Sequence, residues 1–369
     1  MSTRRRYSPA APAGTPRSGR RARIAVAAVV PLLVAAAVTS LFVPAPWTAA
    51  PASGAAARPA DALRLGYFPT VTHAPALAGV EHGLFAEELG RDGTALQTQV
   101  FTAGPAAVEA LNAGAIDAAY LGPSPALASY ATSGGESLVV VAGAASGGAA
   151  LVAREGIDSV EDLAGGQIAT PQYANTQDLA ARALLEERGL TDQVEISHAT
   201  SGTVAQLFER GQIDAAWQPE PWASLLEASG GHVLVDEREL WPEGRFPTAL
   251  LVVSQRFAAE HPQTVQRLAD AHARSLAWLG GAGEDDVVST VVDGSVRAGG
   301  DSLDPDVIRR ALGRLEFTGD PLAGTYPELA EGAAALGTAP GWGDVDLAGL
   351  VDDHWWREAA AAAGEGEGQ

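Results

Sequence analysis

Apolar and polar positions alternate over residues 63–68, 96–101 and 116–121, runs of the length of one β-strand each. Between them apolar residues recur at helical spacing. A helix is expected from Ala74 or Pro75 to about Phe85, with Thr72 as its cap and Gly83-Leu84-Phe85 as its end. Another starts at Pro105, where proline's missing N–H costs nothing, and is stopped by Gly114; a third starts at Ser124. Residues 138–142 read as a fourth strand. From Leu151 the cycle restarts. Ser159 to Asp162 is a capping box for a short helix, 167–170 a strand, and Thr176 the cap of a long helix ending at Gly189. Residues 194–197, a helix at Thr203, a strand at Ile213 and a helix after Pro221 complete this second run. Residues 248–253 read as a strand again. The helices that follow, 261–279 and 304–315, lack strands of their own and are expected to pack back on the first unit. Strands alternating with helices predict parallel β-α-β units and the α/β class.

One stretch occurs in two versions. Residues 104–125, GPAAVEALNAGAIDAAYLGPSP, are echoed by 203–221, TVAQLFERGQIDAAWQPEP, so that Gly114, Ile116 and Asp117 match Gly211, Ile213 and Asp214 at a spacing of 97. That interval is too long for a solenoid repeat and points to two similar α/β lobes. Lobe 1 is expected to comprise 61–150 plus 250–357 and lobe 2 to comprise 151–249. Chain crossings near Leu151 and Ala249 then make a two-segment hinge under a cleft. A Pro-x-Pro follows each copy, with Ser124 central in the first and Glu220 in the second, so the lobes present unlike groups. Residues 358–369, EAAAAAGEGEGQ, are expected to be a flexible tail.

Composition alters the picture mainly at the N-terminus. Seven arginines, at positions 4, 5, 6, 17, 20, 21 and 23, precede residues 24–43, a run of 20 positions without charge. The run is long enough to span a bilayer, and small residues at 52–57 offer A-x-A-type cleavage. The segment is therefore read as a signal sequence or a membrane anchor, with a basic leader (1–23) before it and a flexible linker (44–60) after it. Beyond Arg23, 17 basic residues face 45 acidic ones, a net charge of −28, against −21 for the whole chain. With no lysine anywhere, this argues against nucleic acid as a partner. Cysteine is absent, which removes disulfides, thiolate metal sites, thiol nucleophiles and a lipid-modified cysteine. The seven histidines are scattered without a metal-binding spacing. No phosphate-binding G-x-x-x-x-G-K-[ST] loop and no G-x-S-x-G elbow occurs, and no cofactor or metal is expected.

The motifs FPTVTHAP (68–75), HGLF (82–85), GAIDAAYLGPSPA (114–126), GIDSVEDLAGGQIATPQ (156–172), NTQD (175–178) and QIDAAWQPEPW (212–222) occur in series. Over about residues 63–279 the chain resembles the substrate-binding proteins of ABC importers for sulfonates, taurine and nitrate. The resemblance implies a type II periplasmic-binding-protein fold, with a ligand cleft between two α/β lobes. It further implies an extracytoplasmic monomer that closes on a small organic anion and delivers it to ABC permease and ATPase subunits without chemistry. Enzymes similar in fold, the desulfinases and the pyrimidine synthase of thiamine biosynthesis, depend on cysteines that this chain lacks.

On open parallel sheets ligands sit beyond the carboxyl ends of strands, where helices begin. Helix N-termini offer free N–H donors and partial positive charge, so an acidic protein can hold a sulfonate-like anion without lysine or arginine. The expected ligand-binding set is Thr72, His73, Gly104, Ser124, Ser146, Gly147, Asn175, Thr176, Trp217, Glu220 and Trp222. Plainer roles stand beside these. Thr72, Ser124, Asn175 and Thr176 can be helix caps, Ser146-Gly147 a turn, and one tryptophan core packing; Glu220 can pair with an arginine or latch the lobes. A Glu220 facing the ligand favours a zwitterion such as taurine over a bare alkanesulfonate. Two rival functions remain: a hydrolase or lyase with His73 and Glu220 as acid and base, and a membrane-anchored ligand sensor.

Overall fold

The computed structural model describes residues 58–339 and 341–366; the basic leader, the apolar segment 24–43 and nearly all of the linker lie outside them. Among the described residues no helix is long and apolar enough to cross a membrane. The first unit runs β1 (Ala62–Tyr67), a 3₁₀ turn (Val71–His73), α1 (Ala74–Glu81), α2 (Leu84–Gly90), β2 (Ala95–Val100), α3 (Gly104–Asn112), β3 (Ala118–Leu121), α4 (Pro123–Thr132) and β4 (Leu138–Gly147). The second runs β5 (Ala149–Ala153), β6 (Gln167–Thr170), α5 (Thr176–Glu187), β7 (Glu195–His198), α6 (Ser201–Glu209), β8 (Ala215–Pro219), α7 (Trp222–Ala228) and β9 (His232–Asp236). Then come β10 (Pro247–Ser254), α8 (Gln255–Glu260), α9 (Pro262–Gly281), α10 (Glu284–Arg297), α11 (Pro305–Leu312), β11 (Leu315–Glu316), α12 (Tyr326–Ala335) and α13 (His354–Gly366).

Two sheets result, in the orders β11-β4-β10-β3-β1-β2 and β7-β6-β8-β5-β9. The chain leaves the first sheet after β4 and rejoins it at β10. Both sheets are mixed: the expected parallel β-α-β units are present, and antiparallel strands, which were not expected, join them. β1, β2 and β3 are parallel, as are β6, β7 and β8, but β10 runs antiparallel to β3 and β4, and β5 antiparallel to β8 and β9. The central strands are apolar on both faces. Leu65, Tyr120, Leu251 and Val141 pack with Leu268, Val291 and Ile308 of the late helices, as expected for helices without strands of their own. Ala119, Leu121, Leu250 and Val252 pack on the side of α3 and α4.

The echo has a structural meaning. Gly114 and Gly211 both take φ +68°, a left-handed turn that ends a helix where a side chain would be strained. Three residues on, the aspartate reaches sideways to the neighbouring parallel strand. Asp117 Oδ2 accepts the Arg64 backbone N–H at 2.9 Å, and Asp214 Oδ2 accepts that of Gln167 at 2.8 Å. An arginine closes each turn, Arg64 Nη1 donating to Gly114 O and Arg154 Nη1 to Gly211 O. G-x-I-D thus docks a helix-to-strand turn on β1 in one sheet and β6 in the other.

Local details differ from the expected ones. Thr72 caps nothing: it lies inside the 3₁₀ turn, and α1 follows from His73 with proline in its first turn and no side-chain cap. Gly83 does stop α1, but Leu84 and Phe85 open α2. Ser124 is the second residue of α4, whose cap position is Gly122. Asn175 caps α5 by accepting the Asp178 N–H, and Thr176 is its first helical residue. The capping box at Ser159 and Asp162 is present. The half-buried strand β9 was not expected, and residues 358–366 continue α13.

Candidate functional site

The expected residues lie where strands end and helices start, and several meet between the two sheets. Ser124 and Thr176, both buried, occupy the first turns of α4 and α5. Thr176 Oγ1 donates to Ser124 Oγ at 3.2 Å, joining the β3–α4 turn of the first sheet to the β6–α5 turn of the second. A second bridge runs from Thr70 Oγ1, after β1, to the carbonyl of Glu220, after β8, at 3.5 Å. Asn175 stays with its own helix through its cap bond. Asp178 stiffens this turn from below. Its carboxylate, wholly buried, accepts the Ala174 N–H at 2.8 Å, Arg182 Nε at 2.8 Å and His198 Nε2 at 2.9 Å.

His73 is buried and neutral. Its Nδ1 accepts the Phe68 N–H at 3.0 Å, its ring stacks on Phe68, and burial pulls its pKa down to about 3. It folds the loop after β1 back on itself and holds Thr70 towards the second sheet. Behind it, His272 Nε2 donates to the Gly143 carbonyl at 2.8 Å, which leaves Nδ1 to accept the Tyr120 hydroxyl at 2.8 Å. Burial keeps that imidazole neutral as well, with its pKa pulled down to about 4.

Ser146 and Gly147 line an open cavity of about 630 Å³ beside the crossing between the sheets, with Asp236, Arg238, Arg245 and Arg314. Gly147 and Gly148 both take positive φ, the turn that carries the chain from β4 into β5, and Thr248 Oγ1 donates to the Gly147 carbonyl. The arginines there are paired: Arg238 with Asp236, Arg245 with Glu316 and Asp320, and Arg314 with Glu220 and Glu227.

Glu220 therefore takes the arginine-paired alternative. Its Oε1 lies 3.1 Å from Arg314 Nη1 and its Oε2 accepts the Ser224 N–H at 3.0 Å. Burial raises its pKa, opposed by Ser224 and Arg314. Trp217 is wholly buried in the core of the second sheet, with Nε1 donating to Glu237 Oε2 at 2.7 Å. Trp222, half-buried, lines a tight void with Pro69, Thr70 and Val71. Gly104 opens α3, where a side-chain carbon would come within 2.8 Å of the Pro125 ring, so its role is the close approach of α3 to α4. Thr70, Arg314 and Glu237 were not singled out from sequence. A buried carboxylate beside aromatic residues signals a hidden cation, but with 24 arginines the pattern does not say which.

Two mixed α/β sheets, crossed twice by the chain and meeting at helix starts, define the two-lobed class of periplasmic binding proteins. Residues 56–292 match the NMT1-like family, and the chain belongs to it. Among curated relatives, a binding protein of Brucella abortus (strain 2308) is 31% identical over 211 residues, 56% of this chain and 63% of that protein. The taurine-binding periplasmic protein of Escherichia coli K12 is 29% identical over 196 residues, 53% of this chain and 60% of that protein. The match thus spans less than two thirds of those relatives' length. In fold, the chain is similar to the alkanesulfonate-binding protein SsuA of Xanthomonas axonopodis pv. citri, with a TM-score of 0.68 and 23% identity over 80% of this chain and 99% of that one. It is similar to the nitrate-binding protein NrtA of Synechocystis PCC 6803 at a TM-score of 0.68 and 14% identity, covering 82% and 89%.

Proposed function

We propose that the protein is an extracytoplasmic solute-binding protein of an ABC importer. It acts as a monomer, captures one small organic anion of the aliphatic sulfonate or taurine class by lobe closure, and hands it to a permease. Lobe 1 (61–150 plus 250–357) and lobe 2 (151–249) close about the crossings at 147–149 and 237–247. The observation that carries this reading is the Ser124–Thr176 contact, in which neutral hydroxyls at the starts of two helices meet across the sheets. Two converging helix N-termini supply N–H donors and partial positive charge, enough to hold a sulfonate in a chain of strongly negative charge. Closure then requires contacts made only in the closed state, and residues from both lobes supply them. The relatives' names support the ligand class. Acid–base chemistry by His73 and Glu220 is disfavoured, since burial keeps the first neutral and Arg314 engages the second.

The test is calorimetric titration of the full-length protein with ethanesulfonate, butanesulfonate, taurine, nitrate and sulfate. One-to-one saturable binding of a sulfonate without turnover is expected, with Ser124→Ala weakening it about tenfold through the loss of one hydroxyl to a charged oxygen. Failure of every sulfonate to bind, or conversion of the bound compound, contradicts the reading.

A further inference from the structure

We propose that Arg314 sets the class of anion: it supplies the counter-cation of Glu220 from within the chain, so the cleft takes a sulfonate without an ammonium group, an unsubstituted alkanesulfonate rather than an aminoalkanesulfonate. The inference rests on sulfonate capture as described above and narrows it.

Glu220 follows the carboxyl end of β8, the central strand of the second sheet, and is only 1% exposed. A carboxylate there is the natural partner for a ligand's ammonium. Both of its oxygens are already held, Oε1 by Arg314 Nη1 at 3.1 Å and Oε2 by the Ser224 N–H at 3.0 Å. Arg314 is fixed from its other side by Glu227 Oε2, 2.6 Å from Nη2. It arrives from the opposite sheet, on the turn between α11 and β11, and its carbonyl lies against Gly147 at the crossing. The planar fork of a guanidinium can hold two carboxylates at once, which a lysine ammonium does less well. An ammonium entering this site finds both Glu220 oxygens taken and the Arg314 guanidinium already seated against them. Its desolvation goes uncompensated, whereas the sulfonate end finds the same helix starts in either ligand. Burial raises the Glu220 pKa, and the Ser224 N–H and Arg314 oppose that rise.

Ethanesulfonate and taurine differ by one amino group, so the ratio of their affinities reads the effect. Titrated into the full-length protein, ethanesulfonate is expected to bind about tenfold or more tightly than taurine, the penalty for one unpaired charged group. Arg314→Gln frees Glu220 and moves the ratio towards taurine, Arg314→Lys keeps most of the native preference, and Arg314→Gln with Glu220→Gln restores it. Glu220→Gln alone loses no taurine affinity relative to ethanesulfonate, a measurement that stands even if Arg314→Gln does not fold. A native preference for taurine, or a selective loss of taurine affinity in Glu220→Gln, overturns the role of Arg314 while leaving sulfonate capture intact. Binding of neither compound overturns this inference, and if butanesulfonate fails to bind as well, sulfonate capture falls with it.

Discussion

Glu237 sits in the returning crossing with its carboxyl wholly buried, and burial holds its pKa up at about 7 against the hydrogen bond from Trp217. The native state therefore keeps a proton that the unfolded chain gives up from about pH 4.5, so stability falls between there and pH 7 and stays lower above it. The loss is on the order of 3 kcal/mol. Glutamine at this position still accepts the Trp217 N–H and carries no charge. In urea denaturation, the stability difference in favour of Glu237→Gln should widen from pH 4.5 to pH 8; a difference independent of pH contradicts the assignment. His73 and His272, both with lowered pKa, act in the opposite sense, their contribution being lost as pH falls from 6.5 towards 3. They are common to both proteins and cancel in the comparison. That Trp217 faces a core carboxylate was hidden in the sequence, because a tryptophan beside Pro-Glu-Pro looks the same whether its indole meets a ligand or a buried acid.

Gly143 explains how one strand can be constrained by two other parts of the chain. Its N–H donates to Gly319 O at 2.8 Å, its carbonyl accepts His272 Nε2 at 2.8 Å, and a side-chain carbon there would run into the Asp320 backbone. Gly143→Ala should lower stability by about 1–3 kcal/mol, the usual cost of overpacking a closed site, measurable as a fall in melting temperature. An unchanged melting temperature contradicts so close an approach. At this scale most strands and helices were legible from alternation, and the echo was informative because G-x-I-D solves the same docking problem in each sheet. Strand direction was not legible: β10 enters the first sheet between β3 and β4 from more than a hundred residues away, and nothing local in its sequence records that. Cap identity failed for a related reason. Asn175 and Thr176 are adjacent and equally suited to capping, and the bond that decides between them runs to Asp178.

In the whole molecule, contacts of three kinds join the two sheets. The Ser124–Thr176 hydroxyl pair is polar, Arg314 with Glu220 and Glu227 is ionic, and Leu179 of α5 packs against Ala333 and Ala339 near α12. The doubled motif was readable in the sequence, and Ser124, Thr176 and Glu220 were among the expected residues; Arg314, Glu227, Leu179 and Ala333 were not, since each lies in a segment outside the doubled stretch. A captured sulfonate is proposed to favour a closed form in which these contacts are made. The chain has no cysteine, so spin labels on Glu109→Cys in α3 and Glu187→Cys in α5, both exposed, report on one distance without background. Pulsed electron resonance on the full-length double-labelled protein, with and without saturating ethanesulfonate, measures closure itself. The expected result is a shift to a shorter, narrower distance distribution on binding. An unchanged distribution while calorimetry records ethanesulfonate bound contradicts capture by lobe closure.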